Sequence, residues 1–170
     1  AELAVNRAPF NAENRRRMAM VEMYRNRAEA GLEYITEALW LRPAWPYDWL
    51  TAGHLLAMNS IFDERMTAAL SRIQETGASE RALQFGTAVL VLGYWYHLDE
   101  HQRQTGLVAI EAVLHRKRDA RELAAIIEEL QRVDLFCRRL VNLVDYGPAW
   151  CVNFKRREKA RWQKARNLAQ

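Results

Sequence analysis

Three chain breakers, Pro9, Pro43 and Gly77, lie 34 residues apart, and each closes a block of apolar residues spaced for a helix. A fixed period of that length marks repeated supersecondary units, none of which can bury its apolar face alone. Stacking neighbours then builds one continuous core, which narrows the possible folds sharply. Glycine and proline are otherwise scarce, seven and four in 170 residues. So few turn residues cannot serve a many-stranded sheet, and long helices are expected.

The positions inside the period agree. The segment Asn11 to Pro43 predicts two helices with a turn near Asn26, and the second carries Gly31, Ile35, Ala38 and Leu39, a small–large–small–large packing set. Ala4 and Val5 hold the places of Ala38 and Leu39 one period earlier. From Pro46 the pattern returns with Trp49 and Gly53, one helical turn apart on the same face. Small residues there let paired helices approach closely. These residues resemble the tetratricopeptide repeat, a helix–turn–helix unit of 34 residues, over roughly residues 1–100. The match is closest in 11–43 and weakens after Gly77; Arg15 stands where the first unit has Trp, and Glu22 where it has Tyr. The resemblance implies an all-α fold: tetratricopeptide-like helical hairpins stacked into a short right-handed array with a helical C-terminal cap.

Further helices are expected over Ser79–His97, with Gly86 at a close approach, and over Asp99–Lys117, with Leu107, Ile110, Ala112 and Val113 facing inward. Another follows over Asp119–Gln131, Asp119 capping it and Glu122 completing a capping box. A short helix over Asp134–Val144 precedes a break at Asp145-Tyr146-Gly147-Pro148, and Asn153 caps a final basic helix. Residues 1–152 then form one domain and 153–170 a basic helical or frayed tail. The apolar run Ala82–Leu98 is shorter than the ~20 residues a bilayer span needs and reads as a buried core helix. Ala1–Pro9 reads as the end of a unit whose first helix lies upstream, so a longer gene product is expected.

Charge is unevenly placed. The tail holds Lys155, Arg156, Arg157, Lys159, Arg161, Lys164 and Arg166 against Glu158 alone, a net +6; with +4 overall, the remainder carries about −2. The body thus lacks the broad basic face of a nucleic-acid binder, and no nucleic-acid partner is expected. Arg15, Arg16 and Arg17 form a second basic run. Trp162 shares a helical face with Lys155, Glu158 and Arg166, a pattern that suits an anionic membrane surface or acidic polymer, or equally a solvated, frayed helix.

Few residues suggest chemistry. His97-Leu98-Asp99-Glu100-His101 matches the H-x-x-E-H spacing of a zinc protease, in which two histidines one turn apart bind the metal beside a glutamate base. The match falls where one helix ends and the next begins, so Asp99 and Glu100 read as a helix start that complements its dipole. No metal, cofactor or catalytic set is expected. His54, with Met20, Met23, Leu50 and Met58, lies on the face that lines the concave groove of such arrays, and adaptable Met-rich surfaces suit partner binding. Met at helical spacing is also ordinary core. Among the conspicuous aromatics Trp40, Trp45, Tyr47, Trp49, Tyr94, Trp95 and Tyr96, core packing accounts best for Trp49 and Trp95. Trp45 and Tyr47, in an inter-unit loop, are the candidates for a contact surface.

A more specific resemblance rests on Leu41-Arg42-Pro43 with Pro46-Tyr47-Asp48-Trp49, on Glu80-Arg-Ala-Leu-Gln-Phe-Gly86, on Gln102-Arg103, and on Asp134-Leu-Phe-Cys137. Over residues 1–140 the chain is similar to VpsP-type tetratricopeptide-like proteins of bacterial exopolysaccharide biosynthesis. That resemblance implies a periplasmic helical domain behind an upstream membrane anchor at the inner membrane. It implies a non-catalytic scaffold or accessory in polysaccharide assembly or export, with a protein of that machinery, or the polysaccharide itself, as partner. It also implies pairing of Cys137 with Cys151 in an oxidising compartment; two buried free thiols in a cytoplasmic protein are the alternative. The alternative function is a cytosolic tetratricopeptide adaptor that holds a peptide or partner protein in its concave groove.

Overall fold

The computed structural model describes residues 11–143 and 147–168, and these residues are all-helical, with no strand among them. Local rules set the helix ends. Helix α1 (Ala12–Tyr24) starts under Asn11, whose side chain accepts from the Asn14 N–H at 3.1 Å. It stops at Asn26, which turns the chain at φ 58°, a conformation Asn tolerates. Helix α2 (Ala28–Leu41) ends before Pro43. Helix α3 (Pro46–Met58) opens on a proline, which needs no N–H partner in a first turn. Asp63 caps α4 (Glu64–Gly77), and α5 (Arg81–Tyr94) follows. Helix α6 (Glu100–Leu114) begins in a reciprocal capping box, with Gln102 N–H donating to Asp99 at 2.8 Å and Asp99 N–H donating to Gln102 at 3.1 Å. Then come α7 (Lys117–Glu129), a short α8 (Val133–Leu135) that widens into a π turn (Phe136–Leu140) and a 3₁₀ turn (Val141–Leu143), and α9 (Gly147–Leu168).

The chain divides into two compact units between Val113 and Leu114. In the first, α1 packs on α2, α2 on α3 and α3 on α4; alternate helices also meet, α1 with α3 and α3 with α5. The burial pattern carries the 34-residue period. Ala19, Gly53 and Thr87 are buried, as are Glu22, Leu56 and Leu90, and as are Ile35 and Ala69. Side chains interlock at the crossings. Gly53 of α3 receives Leu90 of α5, and Gly86 of α5 receives Leu50 of α3: an added Cβ would lie 2.9 and 2.5 Å from those leucines. Glu22 is buried, and Arg25 and Arg27 of the following turn neutralise it at 3.3 and 2.5 Å. Buried Gln102 donates to the carbonyls of Phe62 and Asp63 at 3.0 and 3.2 Å, tying α6 to the start of α4.

In the second unit α7 buries Ala120, Leu123 and Ile127, and the π turn packs on α9. Phe136 meets Trp150 edge-on at 5.0 Å. Gly147 is required where α9 begins, since a Cβ there would run into the Val141 carbonyl.

Several expected ends differ. Helix α7 starts two residues before Asp119, so the cap position is Arg116, and Asp119 is buried in the first turn with Arg116 donating to it at 2.6 Å. Asn153 lies inside α9, which begins at Gly147 with Pro148 tolerated in its first turn. The boundary expected at 152 also falls inside α9. On α6 the buried face runs through Gln102, Gly106, Ile110 and Val113, while Leu107 and Ala112 are only half-buried: the helix is rotated toward its glycine. The expectations on Ala1–Pro9 and on Asp145 and Tyr146 lie outside the described residues. Among the described residues no helix is long and apolar enough to cross a membrane; α5 buries Leu83, Ala88, Leu90, Val91 and Leu92 instead.

Candidate functional site

The α2–α3 corner concentrates charge and aromatic surface. Trp45 precedes Pro46, which forces extended backbone on it (φ −89°, ψ 107°) and turns its indole outward. Its ring is nearly half exposed, lies 5.7 Å from the Tyr47 ring, and has the Arg42 guanidinium 5.4 Å above it. The corner is braced by Trp49, whose indole N–H donates to the Pro43 carbonyl at 2.7 Å.

Behind the indole runs an ionic network. Arg42 forks onto Asp48, with Nε and Nη2 donating at 2.6 and 2.8 Å, and Nη2 also reaches Glu13 at 3.0 Å. Arg16 donates to Glu13 at 2.8 Å, approaches Asp48 at 3.8 Å, and donates to the Met20 sulfur at 3.4 Å. The Asp48 side chain is wholly buried. Burial holds its carboxyl above the ordinary value, with Arg42 and then Arg16 pulling the other way. Hydrogen bonds from Arg16, then from Arg42 and Arg17, hold the Glu13 carboxyl down at about 2 against a smaller push from burial. The corner therefore offers an exposed aromatic plate fixed on a rigid base of paired charge. Such a surface can stack on a ring or an apolar side chain while the neighbouring guanidinium orients a polar group.

The sequence-derived groove residues separate by role. Trp45 meets the network through Arg42 and Met20 through Arg16, while Tyr47 lies beside the Trp45 ring. Tyr47 is half-buried, and burial together with a hydrogen bond to Glu80 pushes its hydroxyl pKa up. Met23 packs against the core of α1 and α2, and Leu50 fills the space over Gly86. His54 is half-buried on α3, and desolvation pushes its imidazole pKa down; Met58 is exposed. Trp95 is buried and Trp49 half-buried, whereas Trp40 and Tyr96 stand out at 79% and 62% exposure. The run Arg15, Arg16, Arg17 is no free basic patch, because Arg15 pairs with Glu37 at 2.8 Å and the other two with Glu13. The quartet Glu13, Arg16, Arg42 and Asp48 escaped the sequence reading. Its local signs are the acidic residues in the first turns of α1 and α3 and the spacing of three between Glu13 and Arg16.

The other candidates resolve simply. His97 stacks on Phe62 at 5.1 Å, Asp99 and Glu100 open α6, and no group of three His, Cys, Asp or Glu among the described residues is placed to hold a metal. Cys137 on the π turn is joined to Cys151 on α9, with Cα atoms 5.8 Å apart. In the tail Lys155, Arg156, Arg157 and Lys159 are exposed on α9, and Arg157 pairs with Glu128 at 2.8 Å. The side chains of Arg161, Trp162, Lys164 and Arg166 lie outside the described residues. No known family, curated protein or solved structure matches this chain.

Proposed function

We propose that this chain is a tetratricopeptide-like helical-repeat scaffold that acts by contact and not by catalysis, as an accessory of bacterial envelope polysaccharide assembly or export at the periplasmic face of the inner membrane. The observation that carries the repeat reading is the burial of residues one 34-residue period apart on α1, α3 and α5, together with the packing of these alternate helices on one another. On this reading the hairpins stack into a right-handed array, and the Trp45–Tyr47 pair with the Arg42 network beside it is a contact surface. The polysaccharide role rests on the likeness to VpsP-type sequences, and the cysteine pair is in keeping with an oxidising compartment. Aromatic plates beside fixed charges suit sugar rings as well as partner side chains.

Thiol trapping on the native protein in fractionated cells, followed by non-reducing mass analysis, tests the compartment. A gene deletion complemented by wild type or by Trp45→Ala/Tyr47→Ala tests the role. An envelope-associated protein with Cys137 bonded to Cys151, and secreted polysaccharide lost on deletion and left unrestored by the double variant, is the expected result. A cytosolic protein with two free thiols and unchanged polysaccharide output would overturn the reading.

A further inference from the structure

The second unit holds a groove of about 950 Å³. Its floor is apolar, made by Ala120, Ala124 and Ile127 of α7 with Phe136 of the π turn and Trp150 of α9. Ala120, Ala124 and Ile127 recur at one-turn spacing, so they present a single shallow strip with no long side chain to close it. The volume lies at the upper end of the range for sites that take small organic ligands.

The two ends of the groove differ in charge. At the far end Glu128 and Arg157 neutralise each other at 2.8 Å. At the end where α7 begins stand Lys117 and Arg121, both exposed on the rim. The carboxylates beside them are already taken: Asp119 by Arg116 at 2.6 Å and Glu122 by Arg118 at 3.1 Å. Among the described residues neither Lys117 nor Arg121 has an acidic partner. Lys117 is also the first residue of α7, where the helix dipole adds to the positive potential.

An apolar trough that is cationic at one end and neutral at the other is complementary to a ligand with one anionic head and one hydrocarbon tail. An acidic amphipathic helix, by contrast, would require cations along both rims. We propose that this groove binds a single-headed anionic amphiphile, an alkyl phosphate or alkyl carboxylate, with its head on Lys117 and Arg121 and its tail along Ala120, Ala124 and Trp150. The assignment does not depend on the polysaccharide reading, because it stands on the second unit alone.

Isothermal titration of the full chain with dodecyl phosphate below its micellar concentration tests it. Dodecyl maltoside serves as the neutral head on the same tail, inorganic phosphate as the head alone, and a synthetic acidic amphipathic peptide as the rival occupant. One saturable site for dodecyl phosphate is expected, with the maltoside weaker by about tenfold or more and no binding of phosphate alone. Lys117→Glu/Arg121→Glu is expected to weaken dodecyl phosphate by at least about tenfold, and Ala124→Trp to block it by filling the trough. Circular dichroism reports whether each variant folds. If Ala124→Trp unfolds, the charge-reversal pair decides alone, since both side chains are exposed. Equal binding of the two amphiphiles, indifference to charge reversal, or saturable binding of the peptide without the alkyl phosphate would overturn the proposal.

Discussion

Asp48 keeps a carboxylate in a fully buried place, and the Arg42 fork at 2.6 and 2.8 Å is its main compensation, with Arg16 farther off at 3.8 Å. Taking a charge out of water costs several kcal/mol, and a well-placed opposite charge offsets much of it. Arg42→Ala removes the fork and leaves Arg16 at 3.8 Å as the remaining cation near Asp48. A loss of about 3 kcal/mol is expected, and Arg42→Ala/Asp48→Ala should be more stable than Arg42→Ala alone, since it discards the orphaned charge as well. Urea unfolding of the two variants checks the order; a double variant less stable than the single one would mean that Asp48 contributes by packing. The pair was not legible in the sequence. Helix-face reasoning finds partners three or four residues apart, whereas Arg42 and Asp48 are six apart across a turn and Glu13 joins them from another helix. His97 is the reverse case. Its motif spacing could be read directly, but the spacing straddles a helix start, so the two histidines do not share one helix.

At the scale of elements, the close approach of α3 and α5 rests on two glycines exchanging leucines. The Cβ of a side chain at Gly86 would fall 2.5 Å from a Leu50 methyl, and a branched residue could be admitted only by moving that leucine or the helix. Gly86→Val is expected to cost about 1–3 kcal/mol as overpacking, and Leu50→Ala in the same chain to return part of it. Thermal melting of the single and double variants reads the coupling. Strictly additive losses would show that the two helices do not meet through this pair. Most of this level was legible beforehand. The turn at Asn26, the proline start of α3 and the helix start at Asp99 are local events, decided by a few neighbouring residues. The misplaced starts of α7 and α9 turn on contacts that the cap signals did not carry: Asp119 pairs with Arg116, three residues before it, and Gly147 lies against the Val141 carbonyl.

Across the whole molecule, the Cys137–Cys151 bond closes a loop inside the second unit, its two ends 14 positions apart in sequence. In the chain-entropy view a loop of that size contributes about 3 kcal/mol by restricting the unfolded chain. Reduction should therefore lower hydrogen-exchange protection in α7 and α9 and leave α1–α5 unaltered, which exchange with and without a phosphine reductant measures. Equal loss in both units would mean that they unfold as one. That the chain is helical, where most helices begin and end, and that buried positions recur 34 residues apart between Ala19 and Leu90 could all be read from local signals. Periodicity, caps and breakers act over a few neighbours or repeat along the chain, so they can be read without coordinates. The division at Val113, the ionic base beneath Trp45 and the one-ended charge of the α7–α9 groove arise only in the folded chain. Each depends on which side chains distant in sequence are brought within a few ångströms and which charges are left over, and no local pattern encodes that.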